Sequence, residues 1–292
     1  ARGIRYHLAG KHPVLLYPQD DVAPFSENSP SSDRITQRWL ARASLEALVV
    51  APARALLARV PVLEQLWIVQ GHPMDRARLL SWLIAWGYLR TQEPDAPGSL
   101  CLRGETLLIW PPEFQEPVRI EWDEEIVERI RILPQEGPPQ NLPRLRLLPL
   151  REVRLDAESA ERAAAFLHRA AAHRDRGPDR RQLIEDFRQG HWWSGAEVYR
   201  AALQPLESLS LPSPPVLVEP ILIQAEWEAG IQEILARYRQ IPEEQRPYTT
   251  PADLYHLEAF GWKGPMLSSL VPPFWQDAET RSNSQFRVQG AD

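Results

Sequence analysis

Cysteine is almost missing from this chain: Cys101 stands alone among 292 residues. No disulfide can close within it, and a reducing compartment, the cytoplasm, is expected. Cys101 lies in an apolar run, where an inert packed thiol is the expected role. Without a cysteine pair, and with His168 and His173 five apart, off the i,i+4 face of helix-borne ligands, no zinc site is expected. Lysine is nearly absent too: of 33 basic residues only Lys11 and Lys263 are lysine. A phosphate-binding loop needs Gly-x-x-x-x-Gly-Lys-Ser/Thr. Lys11 follows Gly10, but His12 comes next and Arg5 occupies the first glycine position, while Lys263 precedes Gly264. Residues 216–219 have the apolar-then-acidic pattern of a metal-bearing strand end, yet without that loop they read as a strand only. ATP hydrolysis by these residues is not expected. Gly-x-Ser-x-Gly elbows are absent, and no apolar run approaches the roughly 18 residues that span a bilayer. There is no secretory leader at the start. A basic excess is lacking as well: the net charge is -6, unlike a duplex-binding module. The chain opens on Ala1 rather than Met, so it is expected to be a fragment.

What is present is an ordinary globular composition, 43% hydrophobic, with room for two or three modest domains. Proline (29) and tryptophan (11) are plentiful. Residues 12–17 read as a buried strand, 33–48 as a helix with Ile35, Trp39 and Leu40 on one side, 48–51 as a second strand, and 53–59 as a helix behind Pro52. Alternating strand and helix mark an α/β layer. Another strand is expected over 62–69. Asp75 reads as an N-cap and Gly87 as the stop of a helix between them. A return strand is expected over 145–148, and helices over 156–173, 178–188, 221–238 and 251–260. The strand over 216–219 is expected to join the first sheet, with the tail from Ser282 frayed. Trp192 and Trp193 are expected to pack, one in the core and one half-exposed.

Residues 99–133 carry the densest information. Short apolar runs alternate with charges at a period of two, separated by Gly and Pro, which predicts an antiparallel meander. Val118, Ile120 and Trp122 alternate with Arg119 and Glu121, so Arg119 faces water if the first set faces the core. Arg103 also lies off the packed side. Asp123, Glu124 and Glu125 read as a solvated turn. Arginine offers a planar fork for carboxylates and tryptophan offers anchor area, so Arg103, Arg119 and Trp122 are candidates for a protein-binding face.

The order of these residues resembles the small domain shared by the excision-repair protein UvrB and the transcription-repair coupling factors (Mfd). The likeness runs from about residue 13 to 270. Pro13-Val-Leu-Leu-Tyr-Pro18 with Pro24-Phe25, Val49-Val-Ala-Pro-Ala-Arg-Ala-Leu-Leu57, Trp86-Gly-Tyr88, Pro97-Gly98, Leu102-Arg-Gly104, Pro111-Pro112, Pro117-Val-Arg-Ile-Glu121 and Leu147-Leu-Pro149 occur in the family's order. The loop over 19–32 holds one aromatic, Phe25, and lacks UvrB's Tyr-rich DNA-clamping hairpin, which favours the coupling-factor side. The family's acidic residue before Pro111 is here Leu108 or Ile109. The resemblance implies a degenerate helicase-like α/β domain with an inserted small β-rich (α+β) domain. Its parts would be 1–70, the small docking domain 71–150, a largely helical return 151–270, and a tail or linker 271–292. It further implies recruitment of UvrA through Arg103, Arg119 and Trp122, no cofactor in these residues, and ATP and magnesium for a full-length DNA translocase that meets RNA polymerase through other domains. A monomer is expected. The alternatives are a UvrB-type damage-binding ATPase, and an intramolecular autoinhibitory scaffold in which the same surface is masked.

Overall fold

The computed structural model describes residues 7–8, 12–44, 47–172, 176–209, 217–218, 220–261 and 266–267. The chain begins with a small sheet in which β1 (His7–Leu8) runs antiparallel to β2 (His12–Leu16). Helix α1 (Ser32–Ala43) then leads into β3 (Leu48–Val50), which lies parallel to β2. Ile35 and Trp39 recur one turn apart and are buried, as the spacing requires. Arg38 and Arg42 are buried beside them, which the pattern alone does not announce.

The helix expected over 53–59 is only a 3-10 turn, Ala53–Leu56. Tertiary pairing takes the following residues away from it. The Arg59 amide donates to Leu254 O, Ala58 bridges Tyr255, and β4 (Val60–Pro61) pairs with a much later strand, Leu206–Glu207. The single strand expected over 62–69 begins later, as β5 (Leu66–Val69).

Helix α2 (Arg76–Ala85) matches its sequence signals. The Asp75 side chain accepts from Ala77 N at 2.8 Å and Arg78 N at 3.1 Å. At the other end Gly87 takes φ 98°, so that its amide reaches Ile84 O and the Tyr88 amide reaches Leu83 O, closing the helix with a left-handed cap. The meander follows: β6 (Leu89–Arg90), β7 (Ser99–Arg103), β8 (Thr106–Ile109), β9 (Val118–Asp123), β10 (Ile126–Ile132) and β11 (Gln140–Asn141) stand in the order β11-β10-β9-β8-β7-β6, all antiparallel except the β6–β7 pair. Strand β12 (Arg144–Leu147) returns to pair with β5. The inner face of the meander, α2 and the β5–β12 ribbon close one core through Ile68, Leu79, Leu83, Leu107, Ile120, Trp122, Ile130 and Leu145.

The helical part follows with α3 (Ala157–Ala171), α4 (Arg180–Arg188) and the short α5 (Arg200–Leu203). Helix α3 starts with a reciprocal cap between Asp156 and Ser159. Strand β13 (Leu206–Glu207) is the partner of β4. Strand β14 (Leu217–Val218) does not join the first sheet as expected: it pairs in parallel with β15 (Met266–Leu267), beyond the long helix α6 (Pro220–Gln240) and the short α7 (Pro251–Leu254). The fourth helix, expected over 251–260, thus lasts one turn. Helix α6 packs on the 3-10 turn, with Gly230 against Leu57 and Ile234 buried beside it. The tail from Ser282, His173, Val216, Glu219 and, of the positions weighed for a phosphate loop, Arg5, Gly10, Lys11, Lys263 and Gly264 lie outside the described residues.

One buried cation ties these parts together. Arg38 donates to Pro18 O at 2.9 Å, and its Nη1 lies 2.8 Å from Asp20 and 3.0 Å from Glu152. Burial alone would raise the Glu152 pKa; Arg38 and then Arg200 hold it below the usual carboxylate value. Gln204 clamps the same segment, accepting from Arg154 N and donating to Glu152 O. Removing one partner of a buried pair strands the other charge, at about 3–5 kcal/mol. Arg38→Met is therefore expected to lower the urea-unfolding free energy by about that much, whereas Arg34→Met, at an exposed pair, changes it by under about 1 kcal/mol.

Candidate protein-docking face

Directly opposed residues of neighbouring strands share a face of the sheet, and the register sorts the meander accordingly. One row on the outer face runs Cys101, Leu108, Arg119, Arg131, Asn141; the next runs Arg103, Thr106, Glu121, Arg129. The other face, with Leu100, Leu107, Ile109, Val118, Ile120 and Trp122, is buried. The outer face thus presents four arginines on a rigid support.

Arg103 closes β7 with its side chain 61% exposed, one Nη2 donating to Gln92 O at 2.8 Å and lying 3.3 Å from Glu93. Arg119, in the middle of β9, is 39% exposed and stands 3.8 Å from Glu121, beyond hydrogen-bond length. Arg119 and Arg131 are directly opposed like charges, a repulsive arrangement. Glu121 offsets it by accepting from Arg131 Nη2 at 2.7 Å. The Nε atoms of Arg119 and Arg131 are buried without an acceptor. Exposed ion pairs of this kind contribute about 0–1 kcal/mol, so a visiting carboxylate or carbonyl competes with them easily.

Trp122 sits elsewhere. It is 3% exposed on the opposite side of β9, and its indole N–H donates to Met74 O at 3.0 Å. It stiffens the sheet from behind; it meets no partner while the meander is folded. The structure therefore brings Arg103 and Arg119 together on one surface and separates Trp122 from them. Arg129, Arg131 and the Glu121 clamp were missed in the sequence. The alternation Glu128-Arg129-Ile130-Arg131 carried the face of β10, but not which β9 residues it would oppose.

The other sequence candidates resolve plainly. Asp123, Glu124 and Glu125 form an exposed turn with Glu124 at φ 54°. Among the described residues no three His, Cys, Asp or Glu side chains gather as a metal site, and no helix is long and apolar enough to cross a membrane. Cys101 is buried. Trp193 stacks on Phe187 at 5.4 Å and Trp192 lies under Arg151 at 5.5 Å, so both are packed and half-buried.

In the turn between β8 and β9, Glu113 is half-buried, and both carboxylate oxygens are shielded from solvent without a partner from another residue. Desolvation pushes its pKa from 4.5 up to about 7, against weaker pulls from its own backbone amide and from Arg146.

Residues 66–152 match the UvrB interaction domain family. The chain is also similar to two transcription-repair-coupling factors. It is 31% identical to that of Myxococcus xanthus over 199 residues, 61% of this chain and 16% of the relative. It is 34% identical to that of Bacillus subtilis (strain 168) over 127 residues, 40% of this chain and 11% of the relative. The likeness to transcription-repair coupling factors read from the residue order is borne out, and the chain spans only a small fraction of the length of these relatives.

Four substitutions test this geometry. Trp122→Ala is expected to cost about 3–5 kcal/mol of unfolding free energy, as large-to-small core changes do, while Arg103→Ala and Arg119→Ala stay within about 1 kcal/mol. Glu113 makes the fold less stable as pH rises from 4.5 to 7, because there the unfolded chain is ionised while the folded chain still holds the proton. Below pH 4.5 both states are protonated and the penalty is absent. Glu113→Gln is thus expected to raise the melting temperature at pH 8, by the equivalent of up to about 3 kcal/mol, and to leave it nearly unchanged at pH 4.5. An equal effect at both pH values would contradict the assignment.

Proposed function

We propose that this chain is the UvrA-recruiting module of a transcription-repair coupling factor, acting in transcription-coupled nucleotide excision repair. One observation carries the reading: Arg103 and Arg119 share the outer face of the matched UvrB-interaction segment, Arg103 held by the Gln92 carbonyl and an exposed ion pair to Glu93, Arg119 by a loose ion pair to Glu121. Guanidinium forks at fixed spacing on a stiff sheet suit carboxylates and carbonyls of an acidic protein groove. Docking would exchange the intramolecular partners Gln92, Glu93 and Glu121 for the visitor's groups. The binding energy would come from desolvating those contacts, since an exposed pair alone supplies little.

In this reading residues 1–70 and 151–270 are the helicase-like lobe that has lost its nucleotide site, and the chain works as an adaptor. ATP with magnesium, DNA and RNA polymerase belong to the longer protein, a cytoplasmic monomer whose motor lies outside these residues. Arg103→Glu and Arg119→Glu are each expected to weaken capture of purified UvrA at least about tenfold while circular dichroism stays unchanged. UvrA retained at full affinity by the double substitution would remove the assignment.

A further inference from the structure

The small domain has a second outer face. In the β5–β12 ribbon, Ile68, Leu145 and Leu147 point into the shared core. Pairing places Arg146 opposite Trp67 and Arg144 opposite Val69, so these four share the face turned to solvent. Trp67 is 41% exposed, an uncommon position for a side chain of its size. The guanidinium carbon of Arg144 lies 5.0 Å from the indole centroid and that of Arg146 6.0 Å. Neither arginine has a carboxylate within ion-pair distance among the described residues. Among the described residues Arg146 has the carbonyl of Ala43, at 3.3 Å, and feels the half-buried Glu113 from farther off. On the meander, by contrast, Arg103, Arg119, Arg129 and Arg131 each have an acidic neighbour.

We infer that this ribbon face is a second docking surface, built for an acidic segment of a protein partner. The two guanidinium forks would take carboxylates, and the indole with Val69 would take an apolar side chain lying between them. Stacking keeps both cations oriented over the ring, so less side-chain freedom is lost on binding. Tryptophan and arginine are the side chains that most often carry interface energy. The positive charge, without an ion pair among the described residues, sets the sign of the partner. The net charge of -6 opposes a long polyanion such as nucleic acid while permitting a short acidic peptide. The meander and the ribbon turn their inner faces to one core, so their outer faces look apart and two partners can bind at once. The inference is independent of the UvrA reading.

The test uses the full chain and fluorescence anisotropy with a labelled peptide that alternates glutamate and leucine. Controls are its lysine-for-glutamate counterpart and an oligothymidylate. Saturable binding of the acidic peptide is expected, weakened at least about tenfold by Arg144→Glu with Arg146→Glu and clearly by Trp67→Ala. Arg144→Gln with Arg146→Gln, which adds no negative charge, weakens it as well. Arg188→Glu, at an exposed pair on α4, leaves it unchanged. The inference is overturned by absence of saturable binding, by an equal loss in Arg188→Glu, or by an oligothymidylate that binds more tightly through the same arginines. Unchanged melting temperatures identify the losses as local.

Discussion

The architecture turns on the buried guanidinium of Arg38. Three stretches far apart in sequence, the end of β2 with Asp20, helix α1 and the exit from the small domain at Glu152, meet around it. A charge in that position is tolerated because its Nε meets the Pro18 carbonyl and its Nη1 two carboxylates. Neighbouring bonds repeat the strapping: the Trp39 indole donates to Arg151 O, the Leu150 amide to Trp86 O, and the Leu155 amide to Ala85 O. The segment over 150–155 is thereby held from both sides, and the small domain leaves and re-enters the molecule at a fixed place.

That constraint explains how a modest meander serves as a rigid surface. One face is closed by a core that includes Trp122, α2 and the β5–β12 ribbon. The other carries Arg103 and Arg119, whose ion pairs are loose, beside a firmer, part-buried pair between Arg131 and Glu121. Rigid backbone with exchangeable side-chain partners is a good arrangement for docking, because little ordering remains to be done on binding. The same logic applies to the ribbon, where the cations rest on an indole instead of on carboxylates.

Much of this was legible in the residues. The period-two alternation from Val118 to Trp122 gave the correct faces of β9, and Asp75 and Gly87 marked both ends of α2 through local hydrogen-bonding chemistry. Failures occurred where distant pairing competed with local preference. Ala53 to Arg59 has helical composition, yet bonds of Arg59 to the Leu254 carbonyl and of Leu57 to the His256 amide draw its second half out. Residues 217–218 read correctly as a strand, but their partner lies at 266–267 and not in the first sheet. Trp122 was read as a binding residue on its neighbours' account, although its own position in the alternation already placed it with Val118 and Ile120.

The sequence by itself determined the alternation of faces in β9, the ends of α2, the lack of a phosphate-binding loop and the likeness to transcription-repair coupling factors, since these depend on residue type and short spacing. Tertiary structure alone decided which arginines stand side by side, that Glu121 reconciles Arg119 with Arg131, and that Trp67 lies open between Arg144 and Arg146. Cross-strand register sets those neighbours, and register is settled by the packing of the whole core and not by any one strand.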